Sequence, residues 1–137
     1  MNAIIPQSHR HLIDGSVFVT LVTLMPDGQP QASIVWCNGD DTHVWVNSAR
    51  GRQKDKNMRA RPQVTVLAMD PENPYSYLEV RGEVVEVTEE GAVDHINALA
   101  KLYRGVDSYY GGVTPAELAQ KETRVIYKIK PTRVIAA

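Results

Sequence analysis

Six of the fifteen Lys and Arg residues fall between Arg50 and Arg61 (Arg50, Arg52, Lys54, Lys56, Arg59 and Arg61), with Asp55 as the one acid among them. That short stretch therefore carries a net plus five, and the rest of the 137-residue chain a net minus six. Gly51 stands at its entry, Ser48 just before it, and Gln53 and Asn57 are interleaved with the cations. A glycine followed by donors on a first helical turn is a common way to hold a phosphate, because unpaired backbone N–H groups and the helix dipole point the same way. Arg adds a planar fork and Lys a mobile point charge, and charge-assisted hydrogen bonds of this kind contribute about 1.5–3 kcal/mol each. The leading expectation is a phosphate clamp for a bound cofactor. A merely solvated charged face would have the same composition. Nucleic acid is not the expected partner, since the stretch has no interleaved aromatics and the remainder of the chain is acidic.

Elsewhere the reactive side chains do not gather. Cys37 is the only cysteine, so no internal disulfide or CxxC motif exists, no activating partner adjoins it in sequence, and a small apolar role in a reducing cytoplasm fits best. His9, His11, His43 and His95 lack metal-ligand spacing, no metal is expected, and no catalytic acid or base is assigned. The N-terminal residues lack a basic segment followed by a long apolar run, and no stretch approaches the length of a membrane span, so a soluble, non-exported protein is expected. The length suits one domain over residues 1–137.

The elements that must position the basic stretch follow from the pattern around it. Ser16 to Met25 and Pro30 to Asn38 are β-type runs joined by a Pro-Asp-Gly turn, which predicts a hairpin. Thr42 to Asn47 and Gln63 to Met69 are the strands on either side of the basic helix, which Pro62 should close because the residue before a proline disfavours helical geometry. A rigid loop is expected over Asp70 to Pro74. A long strand follows from Tyr75 to Val87, with Gly82 placed for a bulge. Thr88 is the expected cap of a helix whose inner face is Ala92, Ile96, Leu99 and Tyr103, stopped at Gly105. Val106 to Thr114 reads as a loop that could cover a site, and Arg124 to Ala136 as a final strand. Roughly six strands joined by short turns predict a small, mainly β antiparallel barrel with short helices. Several strands are apolar on both faces, so a second subunit is expected against the barrel.

Ser48, Gly51-Arg52-Gln53-Lys54 and Asn57, set between two strands and followed by Arg61-Pro62-Gln63-Val64, resemble the signature of the flavin/deazaflavin oxidoreductases, six-stranded antiparallel split β-barrel homodimers related to pyridoxamine 5'-phosphate oxidase. Asp27-Gly28-Gln29-Pro30, Leu78-Glu79-Val80-Arg81-Gly82 and Ile129-Lys130-Pro131-Thr132-Arg133-Val134 extend the likeness over most of the chain. The Gly-Arg-Gln-Lys form is most similar to the branch that uses the deazaflavin coenzyme F-420, while other members hold FMN in the same place. The vitamin-specific oxidase activity is not expected, because the chain ends soon after Arg133-Val134. The resemblance implies that Arg52 and Lys54 bind the cofactor phosphate, that Ser48, Gln53 and Asn57 complete a polar cradle with Gly51, and that Ser33, Ile34, Val35 and Trp36 lie along the ring system. It implies hydride transfer from reduced F-420 to an unsaturated small-molecule acceptor. An FMN-dependent oxidase or reductase, or a non-catalytic binder of the coenzyme, is the alternative.

Overall fold

The computed structural model describes residues 3–137. Strand β1 (Val19–Leu24) turns through Pro26-Asp27-Gly28 into β2 (Pro30–Val35), as the turn residues predict. Gly28 takes a φ of +88° and donates its N–H to the Met25 carbonyl at 2.8 Å, and the left-handed backbone there is what the glycine supplies. The run expected as a single strand to Asn38 is instead broken at Trp36. β3 (Cys37–Gly39) leaves β2 and pairs with β4 (Val44–Ala49). Seven strands result instead of six. After β4 come helix α2 (Gln53–Ala60), β5 (Gln63–Asp70), β6 (Asn73–Thr88), helix α3 (Ala92–Arg104) and β7 (Arg124–Ala136), with a short helix α1 (His11–Asp14) ahead of β1.

The sheet order is β2-β1-β5-β6-β7-β4-β3, with every neighbouring pair antiparallel. Its first and last strands are joined by the single residue Trp36, so the two edges must come together, and the sheet curls into a split barrel. The hydroxyl of Tyr103 fastens this joint. It donates to the Val17 carbonyl at 2.7 Å and accepts from the Cys37 N–H at 3.0 Å.

Alternation fills the barrel. Val19 and Leu21 of β1, Val64 and Val66 of β5, Leu78 and Val80 of β6, Val44 and Val46 of β4, and Val125, Tyr127 and Ile129 of β7 form one buried cluster, with Leu12 and Ile13 of α1 and Met58 of α2 joining it. Gly82 sits at a register shift between β6 and β7, where an added Cβ would lie 2.7 Å from the Lys130 carbonyl oxygen. The bulge expected there is present. Between β5 and β6 the expected loop is shorter, because both strands extend into it and leave only Pro71 and Glu72 between them. Thr88 ends β6 and its hydroxyl accepts from the Glu90 N–H, while helix α3 starts after Gly91, whose left-handed backbone makes the turn.

The outward face of β2, β1 and β5 is apolar. Thr20 stands between Ile34 and Leu67, and Val22 between Ala32 and Thr65. Ile34 is 63% exposed and Met69, further along β5, 50%. No helix among the described residues is long and apolar enough to cross a membrane.

Candidate functional site

Helix α2 is held by groups that the charge count alone would not single out. Asp55, the lone acid of the basic stretch, is only 2% exposed. Its Oδ2 accepts the Gly51 N–H at 2.9 Å, and its Oδ1 accepts Arg59 Nε at 2.8 Å and the hydroxyl of Tyr127 from β7. Burial alone would raise this carboxyl, but the Gly51, Tyr127 and Arg59 donors outweigh it and hold it below the ordinary aspartate range. Gly51, with φ +93°, is thereby pinned in the left-handed turn that opens α2. At the other end, Arg61 is extended at φ −137° ahead of Pro62, and its Nε donates to the Leu24 carbonyl. Asn57 is fully buried, giving Nδ2 to Thr23 Oγ1 at 3.0 Å and receiving Gln53 Nε2 and Arg61 Nη2 on Oδ1. It brackets α2 to β1.

A cleft of about 190 Å³ opens beside the start of α2, lined by Ile34 and Val35 of β2, the joint residue Trp36, Arg52 and Lys54 of the basic stretch, Asn47 and Arg124 of β4 and β7, and Ile96, Leu99, Tyr109 and Val113. Sites that enclose a whole small ligand run to roughly 300–1,000 Å³. The cleft is smaller than such an enclosure.

The cleft is electropositive for an identifiable reason. Lys54 is half-buried, gives Nζ to Ser33 Oγ at 3.2 Å, and has no carboxylate partner among the described residues. Burial, then repulsion from Arg52 and Arg124, lowers its affinity for the proton. Arg52 Nη2 meets Glu122 Oε2 at 3.0 Å, and Arg124 Nη1 meets Glu122 Oε1 at 3.3 Å. One carboxylate therefore serves two guanidinium groups, leaving the three cations and one acid at net plus two. Above them, the N–H groups of Gln53, Lys54 and Asp55 make no backbone hydrogen bond, as the first turn of a helix requires.

Of the residues singled out in the sequence, Ile34, Val35, Trp36, Arg52 and Lys54 line the cleft, and Ser33 reaches it through Lys54. The others stand differently. Gln53 and Asn57 are engaged with each other, and the Gly51 N–H is taken by Asp55. Ser48 faces away from its cleft-lining neighbour Asn47, as alternation along β4 demands, and its hydroxyl is buried with no hydrogen-bond partner among the described residues.

Four contributors were not singled out: Asn47, His95, Glu122 and Arg124. Asn47 Oδ1 accepts Arg124 Nε at 2.9 Å, while its Nδ2 reaches the Ala92 carbonyl and His95 Nδ1. Burial, with the Arg124 and Lys128 charges, pushes the His95 imidazole down to about 4. Neutral His95 accepts from Asn47 on Nδ1 and donates from Nε2 to Asn38 Oδ1 at 2.7 Å. The only local sign of this network is the polar side chain of His95 among the apolar positions of the α3 inner face. Tyr109, in the segment read as a possible cover, is tied down: Asn97 Oδ1 accepts its N–H at 2.9 Å, and its ring meets Trp36 edge-on and the Arg124 guanidinium at 5.0 Å.

The residues present fit an anionic group joined to a flat ring. The cleft combines positive donors and open amides with aromatic and apolar side chains, and the outer edge of β2 pairs with no further strand among the described residues.

The sequence matches the family described as Pyridoxamine 5'-phosphate oxidase over residues 5–136. Among solved structures, an F-420 reductase is similar with a TM-score of 0.81 at 30% identity, covering 96% of this chain and 98% of that one. A conserved hypothetical protein from Mycobacterium tuberculosis has a TM-score of 0.71 at 23% identity, covering 97% of this chain and 84% of its own. General Stress Protein 26 from Bacillus anthracis shares the fold, with a TM-score of 0.61 at 19% identity over 90% of this chain and 85% of that one. No curated protein matches.

Proposed function

This chain belongs to the pyridoxamine 5'-phosphate oxidase family, and from that premise we propose that it is an oxidoreductase which binds the deazaflavin coenzyme F-420 and passes hydride from its reduced form to an unsaturated small-molecule acceptor. The observation that carries the reading is the half-buried Lys54 ammonium, without a carboxylate partner among the described residues, beside Arg52 and the open first-turn amides of α2. An anion placed there relieves the repulsion that the two guanidinium groups exert on Lys54. F-420 is preferred over FMN on two grounds: the Gly51-Arg52-Gln53-Lys54 form, and the 30% identity to an F-420 reductase over nearly the whole of both chains.

In this reading Arg52 and Lys54 hold the phosphate, and Ser33 to Trp36 offer their outward backbone groups to the polar edge of the ring. When bound, the coenzyme supplies the hydride chemistry. Ile96, Leu99, Tyr109 and Val113 keep water from their part of the wall, and a water or a polar neighbour provides any proton. The small volume of the cleft and the apolar outward face of β2, β1 and β5 support a homodimer whose second copy completes the enclosure. Its residues act as one domain, in the cytoplasm.

Paired titrations of the cofactor-free protein with F-420 and with FMN, repeated for Lys54→Ala, test the reading. The expected result is a preference for the deazaflavin and a loss of about tenfold to a hundredfold in the variant, from one charge-assisted contact. A preference for FMN that Lys54→Ala also weakens would retain the clamp and move the chemistry to ordinary flavins. Binding of neither overturns the proposal, and tight binding of F-420 with no turnover on any acceptor would make the protein a carrier.

A further inference from the structure

Arg124 is 4% exposed, yet it lines the cleft. Its Nε is taken by Asn47 and its Nη1 by Glu122, while Nη2 donates to no group among the described residues. A guanidinium keeps its charge in any protein environment and carries five N–H donors. Nη2 is not closed off by protein but opens on the cleft, where an acceptor on a bound molecule would complete the set. Glu122, the one carboxylate paired with Arg124 among the described residues, is shared three ways, among Arg124, Arg52 and the Tyr110 hydroxyl at 2.9 Å. Arg124 is also held rigidly. Asn47, itself fixed by the Ala92 carbonyl and by His95, sets the plane of the fork, and the Tyr109 ring lies beneath it. A rigid cation stacked on Tyr109, with one nitrogen open on the cleft, is placed to meet an anionic group of a ligand.

We propose that Arg124 is a second anion-recognition residue of the cleft, distinct in role from Arg52 and Lys54: it binds a carboxylate or phosphate carried by the hydride acceptor, and Glu122 is the resident counter-ion that yields it. That the ligand is a hydride acceptor follows from the function proposed above; that it is anionic follows from the surroundings of Arg124 itself. The acceptor class is a planar conjugated molecule bearing an acidic substituent, its ring against Trp36 and Tyr109.

Naphthalene-2-carboxylate and naphthalene-2-carboxamide have nearly the same shape and differ in charge. Each is titrated into the full chain, with and without bound F-420 or FMN, by quenching of tryptophan fluorescence. The carboxylate is expected to bind about tenfold tighter or more, as one charge-assisted contact allows. Arg124→Met abolishes that preference while leaving the amide bound as before. Glu122→Gln strengthens carboxylate binding, because the amide, whose single oxygen keeps one of the Tyr110 and Arg52 contacts, carries no charge to compete for Arg124. A purely structural role would weaken both probes in both variants; measured with the coenzyme bound, so that Arg52 and Lys54 are occupied, the opposite sign of Glu122→Gln decides the matter even where Arg124→Met does not fold. Equal binding of the two probes to the unaltered protein overturns the proposal. So does an Arg124→Met variant that loses cofactor affinity as Lys54→Ala does and keeps the carboxylate preference, which would assign Arg124 to the cofactor's own anionic arm. A carboxylate preference in a protein that binds neither coenzyme would retain the anion site and remove the reductase reading.

Discussion

Replacing Asp55 with Asn keeps shape and removes charge at the post that fixes the Gly51 turn. If the new amide oxygen keeps Tyr127, its Nδ2 is turned toward the Gly51 N–H, donor against donor, in a place only 2% exposed. One hydrogen bond to a charged group is lost, at about 1.5–3 kcal/mol, and a buried donor is left unpaired, at about 1–3 kcal/mol. Arg59 is more than one-third exposed and regains water, so its ion pair adds little. The expected cost is about 3 kcal/mol, a large share of the roughly 5–15 kcal/mol that ordinarily holds a domain folded, and about 10 °C in Tm at this size. The pH dependence sharpens the test. Because the folded carboxyl is held below its ordinary value, its contribution is complete above the unfolded aspartate value of about 3.9 and is lost as pH falls through the folded one. Urea unfolding of both proteins from pH 7 downward should show a gap that begins to close near pH 4. A gap below about 0.5 kcal/mol at pH 7, within the range of ordinary surface changes, or one that does not narrow with acid, would refute the role given to Asp55.

Ser48→Ala should leave stability within about 0.5 kcal/mol of the parent or raise it, since the hydroxyl it removes is buried and unpartnered among the described residues, and cofactor affinity should not change; a tenfold loss on titration would return Ser48 to the cradle that the sequence suggested. Ile34→Asp places a charge in the middle of the apolar outward face. Light scattering should show the two-chain mass of the parent fall to one, and a parent already at the one-chain mass would refute the dimer.

Where local chemistry decides an element, the sequence was legible. Pro62 stops α2, Pro-Asp-Gly turns β1 into β2, Gly82 marks the bulge, and the Ala92, Ile96 and Leu99 spacing gives the inner face of α3. The break at Trp36 was not legible, because both halves of Pro30 to Asn38 are good strand and only the closing of the sheet separates them. The same holds for the site. Arg52 and Lys54 announce themselves as a charge cluster, whereas Arg124 is one cation at the start of a strand, and its value comes from Glu122 two residues before it and from Asn47 and Tyr109, brought to it from two other parts of the chain. Asp55 looked like a counter-charge. Its partner Tyr127 lies 72 residues away, beyond the reach of any periodicity.

The placement of β7 between β6 and β4 has a consequence for the birth of the molecule. While the ribosome is still making residues 124–136, the β3–β4 pair has no neighbour on its inner side, and β6 shows an open ladder that any extended chain can join. Neither the barrel nor the wall bearing Arg124 exists until that segment inserts. Folding is therefore late and dominated by distant pairings, which makes it slow and leaves the nascent chain open to aggregation. A cell that overproduces this protein should gain more soluble product from slower synthesis or a holding chaperone than from added coenzyme, which has no complete site to bind until the strand is home.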